Sequence, residues 1–386
     1  MTDLLGHRPR PRPLALALPL LFAAATTRAQ SNLSSQGFGY ATGQLSARAH
    51  GAGGAIAEID PLSPVNPASI ALLGTRLIFF QAEPEFRTVS TPAGAEGTTT
   101  ARYPVVFAGL PIGSNWLVGI GSSTLLDRTA TTSFNSTDTI GGGDTVSMNT
   151  KFRVDGAMDD VRLATAWSPA AWFHVGVGAH AITGHNLVSV TQTFPFDSVR
   201  FSAFTQSRVL GFSGTAVSGG VELASKGFTA ALSGRYGGPL HLLSQDTLIS
   251  AARVPNRFGA SLAYTGLANS AIAIRTSRDN WSSLGSLGTP GLHGVDAWDT
   301  SIGAEVAGPR SVDRVLFLRG GFRTRTLPFQ AAGQNVSEQS YSGGLGTTFA
   351  SQRILTDLAL IYANRSANIA ASEHAWTISI GISVRP

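Results

Sequence analysis

From about residue 75 to the end, the chain alternates large apolar residues with small or polar ones, in short segments separated by turn signals. The last segment shows the period most plainly. In Trp376-Thr377-Ile378-Ser379-Ile380-Gly381-Ile382-Ser383-Val384 every second residue is large and apolar. A period of two places alternate side chains on opposite faces of a β-strand. The pattern predicts fourteen strands, near 75–89, 100–112, 115–129, 150–167, 172–185, 206–224, 226–243, 252–266, 269–283, 295–307, 313–328, 337–350, 353–366 and 373–385. Connections after even strands read as short, and two after odd strands read as long, Ala130–Asn149 and Asn186–Thr205. Short turns at one end and longer loops at the other are the habit of a membrane barrel, with apolar side chains facing lipid and small polar ones facing the lumen. The fold class expected is therefore all-β, a 14-stranded antiparallel transmembrane β-barrel. Tryptophans fit the same scheme. Trp116, Trp167 and Trp172 flank the short turns, and Trp281, Trp298 and Trp376 the longer loops, as two interfacial girdles would require.

Composition narrows the alternatives. Charged residues make up 13% of the chain and hydrophobic ones 43%, with 44 glycines and 19 prolines. Glycine and proline at that density oppose a helical bundle. The longest apolar run, Leu14–Ala25, is twelve residues, short of the roughly 20 that a membrane helix needs. It reads instead as the core of an export signal, preceded by Arg8, Arg10 and Arg12 and followed by Thr27-Arg28-Ala29. The expected organisation is a signal peptide over 1–29, an N-terminal hatch or plug over 30–74 and the barrel over 75–386. Without the first 29 residues the balance is 24 basic to 22 acidic residues, so the basic isoelectric point carries no argument for nucleic acid. There is no cysteine, hence no disulfide and no thiolate metal site.

Residues 30–74 do not alternate. They carry a small-residue stretch with Gly53 to Ala55, then Asp60, then Asn66-Pro67-Ala68 some ten residues before the first strand. In this the chain resembles the FadL family of outer-membrane transporters for hydrophobic compounds and the related PorV-like proteins. The resemblance implies a fourteen-strand barrel with an N-terminal hatch in the lumen, residing in the outer membrane of a Gram-negative bacterium. It implies passive uptake of hydrophobic small molecules such as long-chain fatty acids, with Asp60, Asn66, Pro67 and Ala68 in the hatch. It also implies a lateral exit where an early strand kinks, for which Gly119 and Gly121 are the candidates. The alternatives are a PorV-like barrel that anchors secretion partners without transport, and a barrel hydrolase with a Ser/His/acid cluster at one rim. The expected partners are outer-membrane lipid, the substrate and the barrel-assembly machinery, and the barrel is expected to be a monomer.

Candidate chemistry is sparse. Gly259-Ala260-Ser261-Leu262-Ala263 has the outline of a nucleophile elbow but lies inside a strand pattern with no helix after it. His174 and His180 share a face, yet six residues of strand set them about 20 Å apart. Asp138 and Asp144 around Gly141–Gly143 read as a solvated loop before they read as a calcium site. No cofactor, metal or catalytic site is expected. Strand parity points Arg162, Arg235, Arg275, Asp299, Glu305, Arg319, Arg323 and Asp357 into the lumen, since arginine facing lipid at midplane costs roughly 2–4 kcal/mol. Pairing among these charges, or anchoring of the hatch, is the expected use.

Overall fold

The computed structural model describes residues 39–386 except 92–93, 141–143, 195–200, 288–293, 311–313, 332 and 368–371. The export signal with its cleavage site, Gly141–Gly143 and the side chains of Asp138 and Asp144 lie outside the described residues. Fourteen antiparallel strands run in chain order: β1 Leu77–Thr91, β2 Gly94–Ile112, β3 Trp116–Asp127 continuing as Ala130–Ile140, β4 Asp144–Ala170, β5 Phe173–Thr193, β6 Phe204–Ser225 and β7 Phe228–Ser244. They continue as β8 Thr247–Arg253 with Arg257–Leu267, β9 Ser270–Asp279, β10 Ala297–Arg310, β11 Val315–Ala331, β12 Gln334–Phe349, β13 Ile354–Ser366 and β14 Ser372–Val384. Each strand pairs with the next, and β14 pairs with β1 to close the barrel.

Alternation separates two faces. Phe79 is 1% exposed between Ile78 at 56% and Phe80 at 45%. The outward face carries a continuous set of exposed large apolar residues from every part of the barrel, among them Ile120, Leu232, Phe258, Ile302, Leu358 and Ile380. Water penalises such a surface and lipid does not. Trp116 and Trp167 stack at 5.9 Å beside the short turns, and Trp298 and Trp376 are exposed towards the other end.

Three expectations need correction. Ala130–Asn149 is mostly strand, because β3 and β4 run on as a paired hairpin. Its threonines favour strand without supplying an apolar alternation. The described residues of Asn186–Thr205 are likewise mostly strand, with β5 reaching Thr193 and β6 starting at Phe204. Trp281 belongs to no girdle. The chain leaves the ladder after Asp279 and forms a 3-10 helix, Trp281–Leu287, whose threefold spacing puts Trp281 and Leu284 on one buried face.

The described N-terminal residues, 39–74, pack against the inward face. Ser46 caps a short helix, α1 (Ala47–Gly51), by accepting from the amide of Ala49 at 3.0 Å. A 3-10 turn, Ala68–Leu73, follows Pro67, and Gly74 leaves it in a left-handed conformation (φ 62°) before β1 begins.

Candidate functional site

The body of the N-terminal segment is built around Asp60 and Asn66. Asp60 Oδ2 accepts from the hydroxyls of Ser46 and Ser63, and Asp60 Oδ1 lies 3.8 Å from Arg48. Asn66 donates from Nδ2 to the carbonyl of Glu58 at 2.7 Å, and its Oδ1 accepts from the amide of Ala68 at 3.0 Å. Pro67 sits at φ −69° and ψ −22°, the geometry its ring prefers, and opens the 3-10 turn. These four sequence-chosen residues thus hold the segment's own shape. The segment fits where the wall is smallest. A Cβ on Gly220 would collide with Asn66, and one on Gly176 with Pro67.

Ion pairs tie this body to the wall. Glu58 receives Arg257 and, at 3.2 Å, Arg275, with the Ser233 hydroxyl at 2.5 Å. Burial alone would raise the Glu58 carboxyl, but the two guanidiniums outweigh it and hold it below the ordinary glutamate value. Asp299 joins Arg275 (3.0 Å) to Arg323 (2.6 Å), and Arg319 joins Glu305 (2.6 Å) to Asp357 (2.6 Å). Arg48 reaches Glu305 at 2.9 Å, and Arg235 contacts Gln44 (3.0 Å) and Asp160 (3.4 Å). Arg162 is the exception among the eight charges named from sequence. It is buried between Gly121 and His180 in the ladder, and its Nη1 has no hydrogen-bond partner.

Asp160, His180 and Ser218 line up with contacts of 2.7 and 2.8 Å, in the order of a hydrolytic triad. They lie in the middle of β4, β5 and β6 rather than at a rim. Asp160 is also claimed by Gln44 at 3.1 Å and by Arg235, so the chain of contacts anchors the segment. Ser261, in the elbow-like stretch, donates to the carbonyl of Ala55.

The wall itself is split. β2 and β3 pair from Ile112↔Trp116 up to Val105↔Ser123 and no further among the described residues. Above that level, among the described residues, β2 pairs with no strand but β1, and β3 pairs with β4 and with no other barrel strand. Pro104 stands at the split, where it has no N–H to give the ladder. β3 then bulges at Thr124–Leu126 and breaks at Arg128–Thr129. The glycine pair chosen from sequence lies lower. Gly119 and Gly121 are in an unbroken ladder, and their missing side chains leave room for the Phe107 ring. The split begins at the level of Gln81, which pairs with Gly381, five residues below Trp376 on β14. At strand rise and a tilt near 40° that is about 12 Å beneath the tryptophan level, inside the apolar belt.

One short element bridges the split. Tyr40↔Asp127 and Ala41↔Leu126 form a two-residue antiparallel ladder on the free edge of β3, and Thr42 donates to the carbonyl of Thr124. Behind it lies a buried apolar cluster that includes Leu125, Leu126, Met158, Ile182, Phe212, Leu240, Val254 and Trp281. A cavity beside this cluster is lined by apolar Ala41, Leu125, Trp281, Ala297 and Leu327 and by charged residues of both signs, Arg257, Arg275, Arg323 and Arg325 with Asp279 and Asp299. Sequence reading missed Tyr40, Ala41, Pro104 and this cluster. Only Pro104, a proline inside an apolar strand, carries a local signal.

No family model and no curated protein matches the sequence. Solved structures do match the fold. A crystal structure of a Pseudomonas aeruginosa FadL homologue superposes with a TM-score of 0.59 at 12% identity, covering 90% of this chain and 99% of the other. The fold is the FadL-type barrel. The CymD monoaromatic hydrocarbon channel (TM-score 0.54, 13% identity, 89% and 97% covered) shares it. So does the Ralstonia pickettii toluene transporter TbuX (0.53, 12%, 89% and 98%). Within this FadL-type barrel, the split, its bridge and the apolar cluster behind them form one contiguous site.

Proposed function

We propose that the protein is an outer-membrane channel for passive uptake of hydrophobic small molecules, long-chain fatty acids among them, with the N-terminal segment as its hatch. The observation that carries this reading is the split between β2 and β3 at the depth of the lipid tails, backed by a buried apolar cluster. A passenger gathers in the apolar cluster beside the cavity. It leaves sideways once the Tyr40–Thr42 bridge lets go of β3. Membrane crossing then needs no aqueous path and no energy source. The named neighbours, a monoaromatic hydrocarbon channel and a toluene transporter, support the same passenger class.

The test is uptake of a radiolabelled long-chain fatty acid and of toluene by vesicles bearing the purified protein. Uptake of either above that of protein-free vesicles is expected, and no difference for both overturns the proposal.

A further inference from the structure

Four guanidinium groups surround one aromatic ring. The centroid of Tyr40 lies 4.5 Å from Cζ of Arg365, 4.7 Å from Arg102, 4.8 Å from Arg325 and 5.7 Å from Arg87. Its hydroxyl donates to Glu338 Oε2 at 3.1 Å and accepts from Arg325. The four arginines stand on β2, β13, β11 and β1, and carboxylates of the wall hold each in place. Glu85 takes Arg87 (2.6 Å), Arg102 (2.5 Å) and Arg365 (2.9 Å), while Glu338 takes Arg325 (2.7 Å) and Arg365 (2.6 Å). The barrel therefore builds this slot without help from the tyrosine. Arg87 Nη1 and Nη2 and Arg102 Nη2 are buried with no hydrogen-bond partner, three nitrogens with donors left for an oxygen. Tyr40 itself arrives on the two-residue bridge that covers the split.

We propose that this arginine cage is a binding site for phenolic compounds, monocyclic aromatics bearing a hydroxyl, and that Tyr40 is its resident stand-in. A phenol that takes the slot displaces Tyr40 and so releases the bridge from β3. The chemistry selects on two counts. Cations seat on a π face, which a saturated ring lacks. The hydroxyl meets Glu338 and Arg325 in a dry setting, where a hydrocarbon ring offers Glu338 no donor and Arg325 Nη2 no acceptor, so the two bonds made by Tyr40 go unreplaced. The displacement step rests on the reading of the split as an exit, whereas the slot is tested by binding alone.

The experiment is calorimetric titration of the detergent-solubilised full chain with p-cresol, 4-methylcyclohexanol and toluene, using wild type and Tyr40→Ala. The variant is expected to bind p-cresol at least ten-fold more tightly than the other two, and at least ten-fold more tightly than wild type does. In wild type, which has no folding question, p-cresol is expected to accelerate amide exchange at residues 40–42 while toluene leaves it unchanged. Equal affinity of the variant for p-cresol and 4-methylcyclohexanol, or wild-type exchange that p-cresol does not move, overturns the proposal. Failure here leaves vesicle uptake of hydrophobic compounds standing, and loss of that uptake leaves the binding result standing.

Discussion

The N-terminal segment is held in two different ways along its length. From Ser46 to Leu73 it is a body, buried against the wall, with Glu58 clamped by two arginines and its backbone seated on glycines of opposite strands. From Tyr40 to Thr42 it is a strap, tied to β3 by two ladder pairs and one hydroxyl. The difference teaches where opening is inexpensive. Moving the body would uncover buried ions that stay paired only in place, which is strongly destabilising. Moving the strap breaks the β3 ladder and the hydrogen bonds of Tyr40, Ala41 and Thr42, and takes Tyr40 out of a cage whose arginines keep their wall carboxylates, beside a stretch of wall that lacks its own ladder among the described residues.

Substitutions separate the two. Glu58→Gln has the largest expected effect, because it strips the charge from a carboxylate shared by two buried arginines. A loss of about 3–5 kcal/mol follows for such a broken buried pair. Thermal melting should fall, and protease should cut within residues 46–73. Gly220→Val presses a side chain into the space of Asn66 and should cost about 1–3 kcal/mol as overpacking. Its mark is lost protection of the same body, seen by amide exchange. Thr42→Val removes one hydrogen bond from the strap, worth about 1 kcal/mol. It should leave melting unchanged while exchange at Tyr40 and Ala41 rises; a drop in melting would mean that strap and body are one unit.

Acid should show the weakest effect, over a defined window. Glu58 titrates below its ordinary value of 4.5, so its contribution is complete above that pH and is lost as pH falls through the lower folded value. Protease protection of the body should therefore be flat between pH 7 and pH 5 and decline only below 4.5. A decline centred near pH 6 would assign the clamp to histidine instead.

Much of this was legible in the sequence because it is local. Period-two alternation fixes the face of each side chain, so the strand number and the inward placement of charges such as Arg275 and Asp299 follow from parity. What was not legible depends on partners far along the chain. Glycine weakens a strand and so marks Gly119 and Gly121 as the candidate kink, but the ladder between β2 and β3 stops elsewhere, at Pro104, where Tyr40 and Ala41 pair with β3 instead. Trp281 looked interfacial by position, but the turn after Asp279 carries it inward. Ala130–Ile140 lacks apolar alternation and still forms a strand, because β4 offers it a continuous edge. The phenolic ring of Tyr40 had no sequence signal at all, since its four arginines come from four strands.

The central claim is that the strap over the split is the moving part. Ala41 and Leu126 face each other in the ladder, and the chain has no cysteine of its own. The double substitution Ala41→Cys with Leu126→Cys therefore places a reversible lock at this point. Uptake of labelled fatty acid by vesicles bearing the oxidised protein should fall to the level of protein-free vesicles and return on reduction. Equal uptake in the oxidised and reduced states, with the crosslink verified by mass, would contradict the account.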